Sequence, residues 1–175
     1  MATGSGLSSD PASLILTLEM DGESFSALDA LRRRYYAPER NLVPAHVTLF
    51  HRLPADRSRE IKALLTKTVS SHKPIDIAAG EPKVMERGVA IYLRSPQLNA
   101  LRDKLAREWS PWLHEQDQAS FRPHITIHTT DSEVEARSTM QGIRAIRRPR
   151  IRGVGLHLWR YLGGPWEHEH LFRFR

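Results

Sequence analysis

Two short segments of the chain show the same alternation of polar and apolar positions. Residues 46–49 read His-Val-Thr-Leu and residues 124–127 read His-Ile-Thr-Ile; we call them motif 1 and motif 2. Side chains alternate across a strand, so each motif predicts a strand with its histidine and threonine on one face and its two aliphatic residues in a core. The pattern therefore predicts two polar pairs that are held rigidly on sheets.

The hydrophobic pattern of the first half predicts two strand–helix units. The apolar run 14–19 has the length of a strand, and apolar residues at helical spacing over 21–36 predict a helix behind it. Pro38 and Pro44 then lead into a strand that contains motif 1 and ends at Pro54, which places His46 soon after a loop, at an accessible strand end. A second helical stripe over 57–71 completes the second unit.

The second half predicts a hairpin, a helix on each side of motif 2, and two final strands. Ser95 is a plausible N-cap for the first helix, and Asp131 or Ser132 for the second. The predicted elements are strands 73–83 and 88–94, a helix from Ser95 to Trp109, a loop over 112–120, the motif 2 strand, a helix ending near Ile146, and strands 151–162 and 166–174.

The order of these elements predicts an α+β domain with helices outside mostly antiparallel sheets. A helix, a histidine strand and a second helix occur in each half, so the pattern predicts two lobes related by a pseudo-twofold axis. Such lobes bring His46 and His124 face to face although they are 78 residues apart. We expect residues 14–175 to form this single bilobal domain and residues 1–13 to be a disordered leader.

The composition supports one compact unit without thiol chemistry. A chain of 175 residues and 20.0 kDa can bury a good core as one domain. The sequence has no cysteine, which excludes disulfides, a thiol nucleophile and thiolate metal ligands. Residues 1–13 contain no basic region, and the apolar run 14–18 is too short for a signal sequence or membrane span. We therefore expect a cytoplasmic protein.

The charge distribution favours an anionic partner. The net charge is +6, of which residues 88–175 carry +5 (14 Lys and Arg against 9 Asp and Glu). Such a basic half is compatible with RNA or another phosphate-bearing ligand, and equally with a solvated basic surface. On strand 151–162, Trp159 and Tyr161 alternate with the core positions; they offer flat faces for stacking on a base, or pack between the lobes.

The two motifs carry the candidate chemistry. Requiring an apolar residue at both flanking positions, at 40% apolar composition, leaves a chance expectation of about 0.2 such segments, and the chain has two. Two facing imidazoles can transfer protons in opposite directions, one as base and one as acid, as cleavage or opening of a phosphodiester requires. The threonine hydroxyls can donate hydrogen bonds to the non-bridging phosphate oxygens.

The paired motifs, their spacing and the order of elements resemble the 2H phosphoesterase superfamily, especially its 2′-5′ RNA ligase-like branch. The resemblance implies a bilobal fold with a central cleft and a catalytic set of His46, Thr48, His124 and Thr126. It also implies metal-independent action, without a cofactor, on 2′,3′-cyclic or 2′,5′-linked phosphates of RNA ends or nucleotides. The choice among these substrates stays open, as does the assignment of base and acid.

Several other residues are candidates for secondary roles. Four are expected to contact the substrate: Tyr92, Arg122, Trp159 and Tyr161. His51 and His128 are expected to be ordinary polar lining. We expect a monomer with no protein partner.

Three alternatives compete with the two-histidine phosphodiesterase. His168, Glu169 and His170, joined by His157, have a spacing found among metal ligands, although alternating polar residues on an edge strand explain it more simply. A non-catalytic RNA- or nucleotide-binding module would use the basic half together with the aromatic residues. The same fold could also act as a 2′-5′ RNA ligase.

Overall fold

The computed structural model describes residues 12–175. Within this range the elements are β1 (Ser13–Met20), α1 (Gly22–Tyr35), β2 (Thr48–Pro54), α2 (Ser58–Val69), β3 (Ile75–Met85), β4 (Gly88–Arg94), α3 (Pro96–Trp109), α4 (Glu115–Gln118), β5 (His124–His128), α5 (Glu133–Arg144), β6 (Ile151–Tyr161) and β7 (Glu167–Arg173). Short 3₁₀ turns at Ala55–Arg57 and Ser110–Trp112 complete the order. The predicted disordered leader, 1–13, lies outside the described residues except for its last two, of which Ser13 begins β1.

The predicted order of strands and helices is confirmed, with one addition. Residues 112–120, predicted as a loop, contain the single-turn helix α4. Three helices begin where the sequence supplies a cap: the side chains of Asp21, Ser95 and Ser132 each accept a hydrogen bond from a first-turn backbone N–H of α1, α3 and α5. No helix within residues 12–175 is long and apolar enough to cross a membrane.

All strand pairings among the described residues are antiparallel, which confirms the predicted α+β class. The strands follow the order β2-β1-β6-β3-β4-β5, and β7 also pairs with β6. The motif strands β2 and β5 are therefore the two end strands of this path. Their outer edges need partners other than a neighbouring strand.

Strand β3 connects two halves of the sheet. Its residues 75–77 pair with β6, and its residues 78–85 pair with β4. We call β1, β2, β6 and β7 the first lobe, and β4, β5 and the second part of β3 the second lobe. The order β1-α1-β2-α2 recurs as β4-α3-β5-α5, with α4 added before β5, and in both cases the motif strand pairs with the strand that opens the unit.

The core lies between the sheet and the helices. Leu16 and Leu158 from the first lobe and Ile91 from the second are fully buried, because strand alternation turns them to the helix-covered face. Phe50 packs edge-on against Trp109, with ring centroids 5.0 Å apart. Burying side chains of this size stabilises the fold by roughly 1.5–3 kcal/mol each.

Candidate active site

The alternation predicted for the two motifs is present in the structure. The two aliphatic residues of each motif are buried, whereas the histidines and threonines are half-buried. Motif 2 lies inside β5. The strand predicted to contain all of motif 1 ends at Pro54 as predicted but is wrong at its start, because β2 begins only at Thr48. The segment before it still runs beside β1, since the Leu18 N–H donates to the Val47 carbonyl at 2.9 Å.

The two motif histidines are oriented in the same way. Nδ1 of His46 lies 2.8 Å from the Pro44 carbonyl oxygen, and Nδ1 of His124 lies 2.9 Å from the Arg122 carbonyl oxygen. A carbonyl can only accept, so each Nδ1 must carry the proton. Nε2 is then left for chemistry on both rings. In each case the carbonyl belongs to the residue two positions earlier, so the orientation is built into the motif's own flank.

The environment of His46 keeps it neutral. Burial lowers the pKa of His46 to about 4; the bond to the Pro44 carbonyl opposes this, and the charges of Arg32, His124 and His51 add to it. The contribution from His124 means that the two motif histidines lie within electrostatic reach of each other. At neutral pH His46 therefore has a free lone pair on Nε2.

The motif threonines offer free hydroxyl groups. Within residues 12–175, no protein group hydrogen-bonds with the hydroxyl of Thr48 or of Thr126. Each threonine lies on the face of its own histidine, about 6 to 7 Å further along the strand. Two imidazole nitrogens and two hydroxyl donors are therefore presented together, a set able to bind a phosphodiester and move its protons.

An aromatic group lies beside His46. The ring centroid of Trp166 is 4.8 Å from that of His46 and 6.2 Å from that of Trp159. The indole N–H of Trp159 donates to the Thr17 hydroxyl at 2.8 Å, which fixes its ring. Trp159, one of the predicted substrate contacts, therefore lies beside Trp166 and on the same side as motif 1. Trp166 was not predicted, because in the sequence it reads only as the first residue of the last strand.

A different group lies beside His124. The Tyr92 ring is 5.5 Å from the His124 ring, and Arg122 and Lys83 lie 5.5 and 5.7 Å from the Tyr92 ring centroid. Tyr92 and Arg122 were predicted as substrate contacts, and the structure brings both to motif 2. Lys83 was not predicted, since it reaches Tyr92 only through the pairing of β3 with β4.

The side chains of the other three candidates have partners outside the two motifs or are exposed. Tyr161 is 40% exposed at the end of β6, and its ring contacts no other aromatic ring of the described residues. The His128 ring pairs with the Thr139 hydroxyl of α5 at 3.0 Å. The His51 ring lies 3.3 Å from a carboxylate oxygen of Asp117 in α4.

Only two residues of the alternative metal site, His157 and His168, approach each other. Nδ1 of His157 lies 3.1 Å from Nε2 of His168, whereas Glu169 turns to Lys62 and Arg160 on the opposite face. Burial lowers the pKa of His157 to about 4, with the charges of His168 and Arg173 acting in the same direction. Residues 12–175 contain no group of three or more His, Asp or Glu placed to hold a metal ion.

The comparison with family models gives one match over most of the chain. The model described as the 2′-5′ RNA ligase superfamily matches residues 21–165, a range that includes both motifs and every described strand except β1 and β7. No curated protein matches the sequence.

Solved structures with a similar fold cover nearly the whole chain. Escherichia coli LigT complexed with 3′-AMP matches with a TM-score of 0.61 and 16% identity, covering 94% of this chain and 99% of that one. The protein TT0787 of Thermus thermophilus matches with a TM-score of 0.60 and 17% identity, covering 93% and 98%. LigT complexed with NADP⁺ matches with a TM-score of 0.57, 16% identity, and 94% and 99% coverage. At these identities the similarity is one of fold.

Proposed function

Because the chain belongs to the 2′-5′ RNA ligase superfamily, we propose that it is a metal-independent phosphodiesterase acting on 2′,3′-cyclic or 2′,5′-linked phosphates of RNA ends or nucleotides. The observation that carries the proposal is the matched pair of imidazoles. His46 and His124 have the same Nδ1–carbonyl bond and lie within electrostatic reach of each other. Similar folds were solved with 3′-AMP and NADP⁺, which supports a phosphate-bearing nucleotide as ligand.

The low pKa of His46 supports its assignment as the base. In hydrolysis of a cyclic phosphate, Nε2 of His46 takes a proton from water while the water oxygen bonds to phosphorus. The bond from phosphorus to the departing ribose oxygen breaks, and Nε2–H of His124 gives that oxygen a proton. The product is a phosphate monoester, and each histidine ends in the protonation state in which the other began.

The threonines complete the proposed mechanism. Negative charge collects on the non-bridging oxygens as the fifth bond to phosphorus forms. The hydroxyls of Thr48 and Thr126, which have no protein partner in the described chain, donate to those oxygens. Donors of this kind are worth about 10²- to 10³-fold in rate where they have been removed from other enzymes.

The proposal is tested by hydrolysis of a 2′,3′-cyclic nucleotide in EDTA. The unmodified protein is expected to turn over with an undiminished rate in EDTA. His46→Ala and His124→Ala are each expected to lose about 10²- to 10⁴-fold in kcat. Activity that disappears with EDTA, or full activity in both variants, would contradict the two-histidine mechanism.

Ligation is a second candidate function, favoured by the description of the family model. Attack of a 5′-hydroxyl in place of water on the same cyclic phosphate uses the same proton transfers; when the bond from phosphorus to the 3′ oxygen breaks and that oxygen takes the proton, a 2′,5′ linkage remains. The test supplies one RNA with a 5′-hydroxyl end and a second RNA with a terminal cyclic phosphate. Separating the products by length distinguishes joining from hydrolysis.

A non-catalytic binding module is the other alternative. It would show RNA affinity without turnover, and that affinity would be unchanged in His46→Ala and His124→Ala. A cytoplasmic location and a monomeric state remain predictions.

A further inference from the structure

Each motif strand is bound along its outer edge by charged side chains from helices of the other unit. Side chains of α3 and α4 bind β2, which begins within motif 1 at Thr48, and a side chain of α1 binds β5, which contains motif 2. End strands present unpaired backbone groups, and buried ones must be satisfied. Here arginine and aspartate side chains replace the missing neighbouring strand.

Arg32 of α1 joins the two motifs through one guanidinium group. Its Nε–H donates to the Val43 carbonyl at 3.1 Å, three residues before His46, and also to the Asn41 side-chain oxygen at 2.8 Å. Its Nη1–H donates to the backbone carbonyl of Thr126 at 2.6 Å. The side chain is buried, with 4% exposure, and its planar group lies 4.0 Å from the Tyr36 ring centroid.

Arg102 of α3 has the corresponding position at motif 1. It is 6% exposed, donates to the Leu49 carbonyl at 3.4 Å and to the Asp117 carbonyl, and lies 5.5 Å from the ring of Phe121. Phe121 precedes His124 by three residues, as Val43 precedes His46. Each arginine therefore reaches from the flank of one motif to the backbone of the other. The contacts of Arg32 with the motif segments are the shorter ones.

We propose that Arg32 and Arg102 are positioning residues that together hold motif 1 and motif 2 at the separation needed for two-histidine catalysis. The inference rests on the proposed function. A buried arginine is costly unless its donors are satisfied, and aliphatic residues often stabilise a core equally well. The acceptors of Arg32 include backbone groups of both motif segments, which an aliphatic side chain could not bind. A guanidinium with fixed donor geometry suits this better than the flexible ammonium of lysine.

The test measures kcat and KM for a 2′,3′-cyclic nucleotide in substituted proteins. Arg32→Met is expected to lower kcat on the order of 10²-fold with little change in KM, because a misplacement of about 1 Å between reacting groups costs about that much. Arg102→Met is expected to cost about 10-fold, since its bond to motif 1 is longer. Arg148→Met is the control. That arginine is also mostly buried and paired with Glu81, but contacts neither motif, and kcat should stay unchanged.

A second readout separates positioning from a merely structural role and needs no activity. The groups that act on His46 are Arg32 from α1, the Pro44 carbonyl, His51 from β2, His124 from β5 and the packed ring of Trp166. Arg32→Met removes one positive charge, so NMR titration should show a higher pKa for His46. Arg32→Lys keeps the charge but not the fork of donors, so kcat should fall while the pKa of His46 stays near its parent value.

The outcomes distinguish this inference from the proposed function. Turnover by the parent protein that is lost in His46→Ala supports the function whatever the arginines do. Parent-like kcat in folded Arg32→Met and Arg102→Met, with the pKa of His46 unmoved, would overturn the inference alone. If the methionine variants do not fold, kcat is measured in Arg32→Lys and Asn41→Ala instead. Arg32→Lys retains the buried positive charge, and Asn41→Ala removes an acceptor of Arg32 that lies outside both motifs. Full kcat in both would then count against positioning.

Discussion

The two motifs have the same backbone arrangement and different surroundings. In both, Nδ1 of the histidine binds a carbonyl two residues earlier, and both strands end the sheet. His46 packs against the ring of Trp166 and lies near the charge of Arg32. His124 lies against the ring of Tyr92, and the guanidinium of Arg122 lies over that same Tyr92 ring. The motif's own flank orients each ring in the same way, and the neighbouring elements lower the pKa of His46.

The division of labour between the histidines can be tested with a substrate that needs no acid. In a cyclic phosphate whose departing bridging oxygen is replaced by sulfur, the leaving group departs as a thiolate without a proton. His124→Ala should lose about 10²- to 10⁴-fold on the oxygen substrate and recover most of that rate on the sulfur substrate. His46→Ala should lose a similar factor on both, because the attacking water still needs a base. Initial rates for both positional isomers of the sulfur substrate provide the measurement.

The control for this experiment is the parent protein, which fixes the intrinsic ratio of the two substrates. Recovery by His46→Ala in place of His124→Ala would reverse the assignment of base and acid. Equal recovery by both variants would show that the surroundings of the two motifs do not separate their roles.

Local patterns predicted the elements and the motif faces because both depend on residues close in sequence. The alternation of Val47 and Leu49 with His46 and Thr48 fixes which side chains are buried once a strand forms there. The start of β2 was misplaced, because pairing with β1 is irregular and its register shifts at Leu16. Such irregularities depend on the partner strand, which a local pattern does not contain.

The features that make the two sites unlike could not be predicted in this way. Arg32 looks like part of a basic triplet near the end of a surface helix, yet it is buried against Thr126, 94 residues away. Trp166 contacts His46 only because β7 folds back on β6 and carries the preceding turn toward motif 1. Long-range packing decides both, and composition and periodicity describe only short windows of sequence.

Removing the aromatic ring beside each motif histidine is expected to have a smaller effect, on nucleotide affinity. Trp166→Ala and Tyr92→Ala each remove a ring beside one histidine, and loss of a base-stacking ring costs roughly 1–3 kcal/mol, or about 5- to 150-fold in affinity. Binding of a non-hydrolysable nucleotide analogue, measured by calorimetry, should weaken within that range for whichever ring contacts the base. The matched control is Tyr161→Ala, which removes an exposed ring at the end of β6 and should leave affinity unchanged. Equal, unweakened binding in both variants would mean that neither ring contacts the base.

The last expected effect is on stability, and it follows from the pKa values of about 4 for His46 and His157. An unfolded chain binds protons at these positions near pH 6.5, so between pH 6.5 and 4 the unfolded state holds more protons than the folded one. The free energy of unfolding should therefore fall as pH drops through that window and change little from these groups above it. His46→Gln should reduce the slope by up to about 1.4 kcal/mol per pH unit in urea denaturation. His157→Gln should reduce it by less, because that ring is only half-buried and solvent screens its charge. Tyr161→Phe, which adds or removes no group titrating there, should keep the parent slope; an unchanged slope in His46→Gln would show that burial does not hold this histidine neutral.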